Sequence, residues 1–88
     1  MPLHPDIQAL LDAMRALQNH LENLDGAWAA RVRKAADEVA NSDAHGLQRF
    51  LSFFGGMGSL SDLVLHRDGD ALRQEAWALA DSLRRQFD

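Results

Sequence analysis

The chain has 88 residues, a formal charge of -4 from 13 Asp and Glu against 9 Lys and Arg, and no cysteine. That length suits one small domain, not two with separate cores, and the missing cysteines exclude disulfides, thiolate metal sites and a cysteine nucleophile. The acidic balance disfavours nucleic acid, and no apolar run is long enough to cross a bilayer, so a soluble, cytoplasmic protein is expected.

The first predicted helix covers residues 6 to 24. Ile7, Leu10, Leu11, Met14, Leu17, Leu21 and Leu24 recur at steps of three and four and form one continuous stripe. Pro5 and Asp6 suit its first turn, where a missing amide costs nothing and a carboxylate favours the positive dipole end. The stripe keeps a heptad-like order over too few repeats for a free coiled coil, and a bundle seam is the expectation. A homodimer through the same seam is a further expectation.

Asp25 is the predicted cap of a second helix running to about Asn41, with Trp28, Val32, Ala35 and Val39 on one side. Its alanines let another helix approach closely. The basic run Arg31 to Lys34 precedes Asp37 and Glu38, so four-residue spacing predicts Arg33–Asp37 and Lys34–Glu38 pairs and a neutralised outer face. Asn41, Ser42 and Asp43 supply stop and cap residues for a third helix over Ala44 to Phe54, with Leu47, Phe50, Leu51 and Phe54 on one face.

A glycine-rich corner follows. Gly55 is expected to end the third helix at positive φ, Gly56 and Gly58 to permit a reversal, and Ser59, Ser61 and Asp62 to cap backbone amides. Leu63 to Leu65 is too short to show a period and reads as an irregular or short helical connection. "HRDGD" reads as a turn, with Asp70 capping a last helix from Ala71 to about Gln86, whose stripe is Leu72, Ala76, Leu79 and Leu83. The predicted fold class is therefore all-α: a compact, mainly antiparallel four-helix bundle over residues 1 to 88, with a glycine-rich connection between helices 3 and 4.

Motifs for chemistry are weak. Gly56 and Gly58 match the first two glycines of a dinucleotide pattern, but Ser61 stands at the third, no Gly-Lys-Ser/Thr follows, and a helix rather than a strand precedes. Ser59 or Ser61 with Asp62 and His66 has the residue types of a hydrolytic triad without a nucleophile elbow, and a local Asp62–His66 hydrogen bond or turn cap is the better reading. His4, His20, His45 and His66 lack metal-site spacing, and Asp68 and Asp70 lack the ordered ligands of a calcium loop. No catalytic residue, metal or cofactor is assigned. Trp77 falls outside the last helix's stripe, on the side of Arg73 and Arg84, which suits either a protein-binding anchor or packing beneath the glycine connection.

The segment Gly56, Gly58, Ser59, Leu60, Ser61, Asp62 and Leu63 resembles the core Gly-x-Gly-Ser-apolar-Asn/Ser-Asp-Leu of a family of small uncharacterised bacterial domains. The resemblance implies a bacterial source and a shared corner, and carries no activity with it.

The expectation for function is a non-enzymatic module that binds another protein, as an immunity-type or accessory regulatory protein would, or self-associates. Its candidate contacts are Phe53, Met57, Arg73 and Trp77. The alternative is a small-ligand or nucleotide binder using the Gly55 to His66 loop, with Gly56, Gly58, Ser59, Ser61, Asp62 and His66 as ligating residues.

Overall fold

In the computed structural model, which describes residues 4–55, 59–65 and 67–87, the periodic apolar stripes become four helices: α1 (Pro5–Glu22), α2 (Gly26–Ala40), α3 (Ala44–Ser52) and α4 (Arg67–Phe87). A 3-10 turn, Leu60–Asp62, lies in the α3–α4 connection, and no strand occurs among the described residues. The fold is the all-α bundle that the periodicity predicts. α1 lies between α2 and α4, α2 also packs on α3, and α3 touches α4.

The α1 seam is consumed inside the protein. Leu10, Met14, Leu17 and Leu21 are essentially inaccessible and meet Val32, Ala35 and Ala36 of α2 and Ala76, Ala80 and Leu83 of α4 in one core. A dimer through this seam would have to uncover those residues. Leu24, placed on the stripe by spacing, is exposed because α1 stops at Glu22, where the Leu24 and Asp25 amides both donate to the Leu21 carbonyl.

Caps follow the chemistry of the turn residues. The Asp25 carboxylate accepts from the Trp28 amide at 3.1 Å and the Asp43 carboxylate from the His45 amide at 2.9 Å. His4 caps α1 through Nδ1, a role its sequence position did not advertise. At the α2 C-terminus the Asp43 amide reaches back to the Glu38 carbonyl and the Ser42 amide to that of Val39, both at 2.9 Å. This is a Schellman motif with Ser42 at φ 58°, where glycine or asparagine is usual.

Three expectations are corrected. α4 starts at Arg67, not Ala71, so "HRDGD" is helical from its second residue, and Asp70 lies inside the helix instead of capping it. Gly69 is there for packing: it sits directly against the His20 ring and the Leu65 side chain, where a Cβ would lie 2.6 Å from His20 Cδ2 and 2.8 Å from Leu65 Cβ. A residue that looks like a turn signal is instead the point where α4 passes close to α1. Second, α3 ends at Ser52 and Gly55 does not take a left-handed φ; the Phe53 and Phe54 amides close the helix on the Phe50 and Leu51 carbonyls. Third, Asp37 and Glu38 pair across helices, with Arg15 of α1 at 2.8 Å and Arg49 of α3 at 2.5 Å, in place of the predicted partners within α2.

α3 is held against α2 by a missing side chain. At Gly46 a Cβ would lie 2.7 Å from Glu38 Cβ and 2.8 Å from both the Ala35 carbonyl oxygen and the Val39 nitrogen. Only a glycine lets the two backbones approach this closely. Near the end of α4, Asp81 accepts from Arg84 at 2.6 Å and from Arg85 at 3.1 Å. The Arg84 hydrogen bond, aided by the Arg85 charge, holds its carboxyl below the ordinary range against the opposing effect of burial.

Candidate functional site

The α3–α4 corner is built by backbone closure. The Leu60 amide donates to the Phe53 carbonyl at 2.8 Å, the Asp62 amide to Ser59 at 3.0 Å, and the Leu63 amide to Leu60 at 3.3 Å. Leu60 is wholly buried and anchors the turn in the core. The Ser59 and Ser61 hydroxyls face each other at 2.7 Å, Ser59 buried and Ser61 exposed.

Phe53 turns inward. Its ring meets Trp28 edge-on at 5.3 Å and Phe50 at 6.2 Å, while Phe54 packs on Phe50 at 5.1 Å. Trp28 is core, as its helix face predicts, and Arg31 lies over its ring at 4.8 Å.

Arg73 ties α4 to the corner. Its Nη1 donates to the Leu60 carbonyl at 2.9 Å and the Leu63 carbonyl at 2.8 Å, and Nη2 donates to Asp70 at 2.7 Å. Its side chain is only 17% exposed, so the guanidinium is a strut for the 3-10 turn more than a free charge. One helical turn later stands Trp77, 41% exposed. Phe54, Ser61, Arg73, Gln74 and Trp77 line a shallow recess of about 320 Å³.

The corner therefore brings together Ser61, Arg73 and Trp77 from the sequence-predicted set, and directs Phe53 away toward Trp28. Asp62 is exposed at the end of the turn. Gly56, Met57, Gly58 and His66, and with them the Asp62–His66 contact, lie outside the described residues. Phe54 and Gln74 were missed. Gln74 precedes Trp77 by three residues on one helix face, a signal already readable in the predicted last helix; Phe54 was assigned to the core stripe.

A second groove, of about 260 Å³, opens where the starts of α1 and α3 meet the ends of α2 and α4, between Ile7, Val39, Leu47 and Leu83. Among the described residues no cluster of three His, Asp or Glu side chains could hold a metal ion, and no helix is long and apolar enough to span a membrane.

A family model described as a domain of unknown function (DUF6966) matches residues 12–73, well over half of the chain. The chain belongs to the DUF6966 family. The DUF6966 match takes in α2, α3, the 3-10 turn and Arg73, and stops four residues short of Trp77. No curated protein and no solved structure matches the chain.

Proposed function

We propose that this DUF6966 member is a non-enzymatic protein-interaction module of bacterial, cytoplasmic origin, acting as an immunity-type or accessory regulatory protein. It docks its partner on the recess between the 3-10 turn and α4. The observation that carries the reading is Trp77, a large aromatic left 41% exposed beside a recess whose rim is fixed in advance by Arg73. Tryptophan is enriched among residues that dominate binding energy, and a pre-ordered rim lowers the entropy lost on association. Val64, two residues beyond the 3-10 turn, is a second large apolar side chain left exposed in the same connection, at 89%.

The alternative, a small-ligand or nucleotide binder at the Gly55 to His66 loop, draws less support from the hydrogen bonds described. The Leu60 amide, the two serine hydroxyls and the Arg73 guanidinium are already engaged with the protein itself. The test is affinity capture from the native host with wild type and Trp77→Ala side by side, followed by titration of the captured partner. Wild type should retain a partner that Trp77→Ala loses, with the dissociation constant rising about thirtyfold or more. Equal retention by both would refute this surface, and a small molecule co-purifying at the loop would favour the alternative.

A further inference from the structure

The outer face of α2 was expected to be neutralised by its own carboxylates, and it is not. Asp37 is drawn toward α1 by Arg15 and Glu38 toward α3 by Arg49. Among the described residues Arg33 and Lys34 are left with no ion-pair partner, and Arg31 is held over Trp28 instead of against a carboxylate. All three are exposed.

The flanking pairs add to this strip. Arg15 is fixed by Asp37 and Gln18 and Arg49 by Glu38, yet each keeps further N–H donors and 39% of its side chain in solvent. Five of the nine Lys and Arg residues thus follow one another from α1 over the outer side of α2 to α3, with Arg31 and Arg33 on opposite flanks of α2, Asp37 and Glu38 between them and Glu22 beside Arg33 at the edge. The strip wraps the outer side of α2, and half the circumference of a helix about 10–12 Å across is roughly 16–19 Å, the reach of about five or six extended residues.

We infer that this face binds a short acidic polypeptide segment of a partner, running across the three helices, distinct from the Trp77 recess. The rest of the molecule carries a large excess of carboxylates and repels a long polyanion, while a segment confined to the strip meets five cations against three carboxylates, two of these already paired with Arg15 and Arg49. Guanidinium groups also match carboxylates as bidentate donors.

The experiment uses fluorescein-labelled hexaglutamate, fluorescence anisotropy, and salt at about 20 mM and about 150 mM. Wild type should bind, more weakly at the higher salt. Arg33→Glu/Lys34→Glu should lose at least about tenfold in affinity. Arg67→Glu/Arg85→Glu makes the same change in net charge away from the strip and should change binding much less. Circular dichroism checks that both variants stay folded. Absence of wild-type binding, equal loss in the two double variants, or tighter binding of a hexadeoxythymidylate than of the peptide would each overturn the inference.

Discussion

Replacing Gly46 with alanine tests whether α3 is held against α2 by backbone proximity. The new methyl would meet Glu38 Cβ at 2.7 Å and the Ala35 oxygen and Val39 nitrogen at 2.8 Å, whereas carbon contacts settle near 3.5–4.0 Å, so α3 must retreat by roughly 0.7–1 Å. Two of these three obstacles are main-chain atoms of α2 and cannot rotate away. Retreat would loosen the fully buried Phe50, on the same helix, from the core. Overpacking of this kind costs about 1–3 kcal/mol, and alanine's better helix propensity returns up to about 1 kcal/mol. The expected net loss is about 1–2 kcal/mol, or roughly 5–15 °C in Tm for a domain of this size. Gly26→Ala is the paired control, because nothing lies within 4 Å of the added Cβ there. It should gain a few tenths to about 1 kcal/mol by the same propensity effect. Thermal and urea unfolding followed by circular dichroism measure both. A Gly46→Ala protein as stable as wild type would refute the close-crossing argument, and a loss in Gly26→Ala would refute the propensity correction.

Arg73→Met keeps the aliphatic stem but leaves the Leu63 carbonyl without its donor and the Leu60 carbonyl with only the Leu63 amide at 3.3 Å, and should cost about 2 kcal/mol, with faster hydrogen exchange at the Leu60, Asp62 and Leu63 amides. Unchanged exchange there would mean that the strut does not hold the turn. Asp81 has its carboxyl pKa lowered in the folded state by Arg84 and Arg85, so its contribution is present above the ordinary value of about 3.9 and fades as pH falls through the folded value below it. Asp81→Asn should therefore lower stability near neutrality and flatten the acid limb of the stability profile. An acid limb of unchanged slope would show that this pair does not set it.

The four helices were legible because each carries a stripe repeating at three and four residues, and the caps Asp25 and Asp43 because their side chains act on their own neighbours. What was not legible depends on which helix passes which. Gly69 has the composition of a turn, and only the approach of His20 and Leu65 shows why a helical position here carries no side chain. Asp37 and Glu38 have suitable partners four residues earlier, and only the placement of Arg15 and Arg49 on neighbouring helices diverts them. Ser42 reads simply as a stop signal; that it takes the left-handed position, at some steric cost, emerges only with the two hydrogen bonds that enforce it. At the candidate site, the angle of Trp77 set it outside the α4 stripe but left an exposed anchor and packing beneath the glycine connection both open, and the structure leaves it 41% exposed. The inward use of Arg73 was not legible, because its acceptors lie ten and thirteen residues earlier on a turn whose path has no periodic signal.

The packing of α1 between α2 and α4 has a kinetic meaning. The α1–α2 and α2–α3 contacts join neighbours in sequence and can form early, while the α1–α4 contact joins opposite ends of the described chain, down to the Gln86 amide on the Asp6 carboxylate. Closing a flexible loop of some seventy residues between Leu10 and Leu83 costs about 4 kcal/mol of chain entropy, and no local contact repays it in advance. Prior assembly of α1, α2 and α3 shortens that loop to the α3–α4 corner and α4 itself. Docking of α4 is then expected to limit the folding rate, and φ-values near one for α1–α2 contacts with fractional values for α1–α4 contacts are the check.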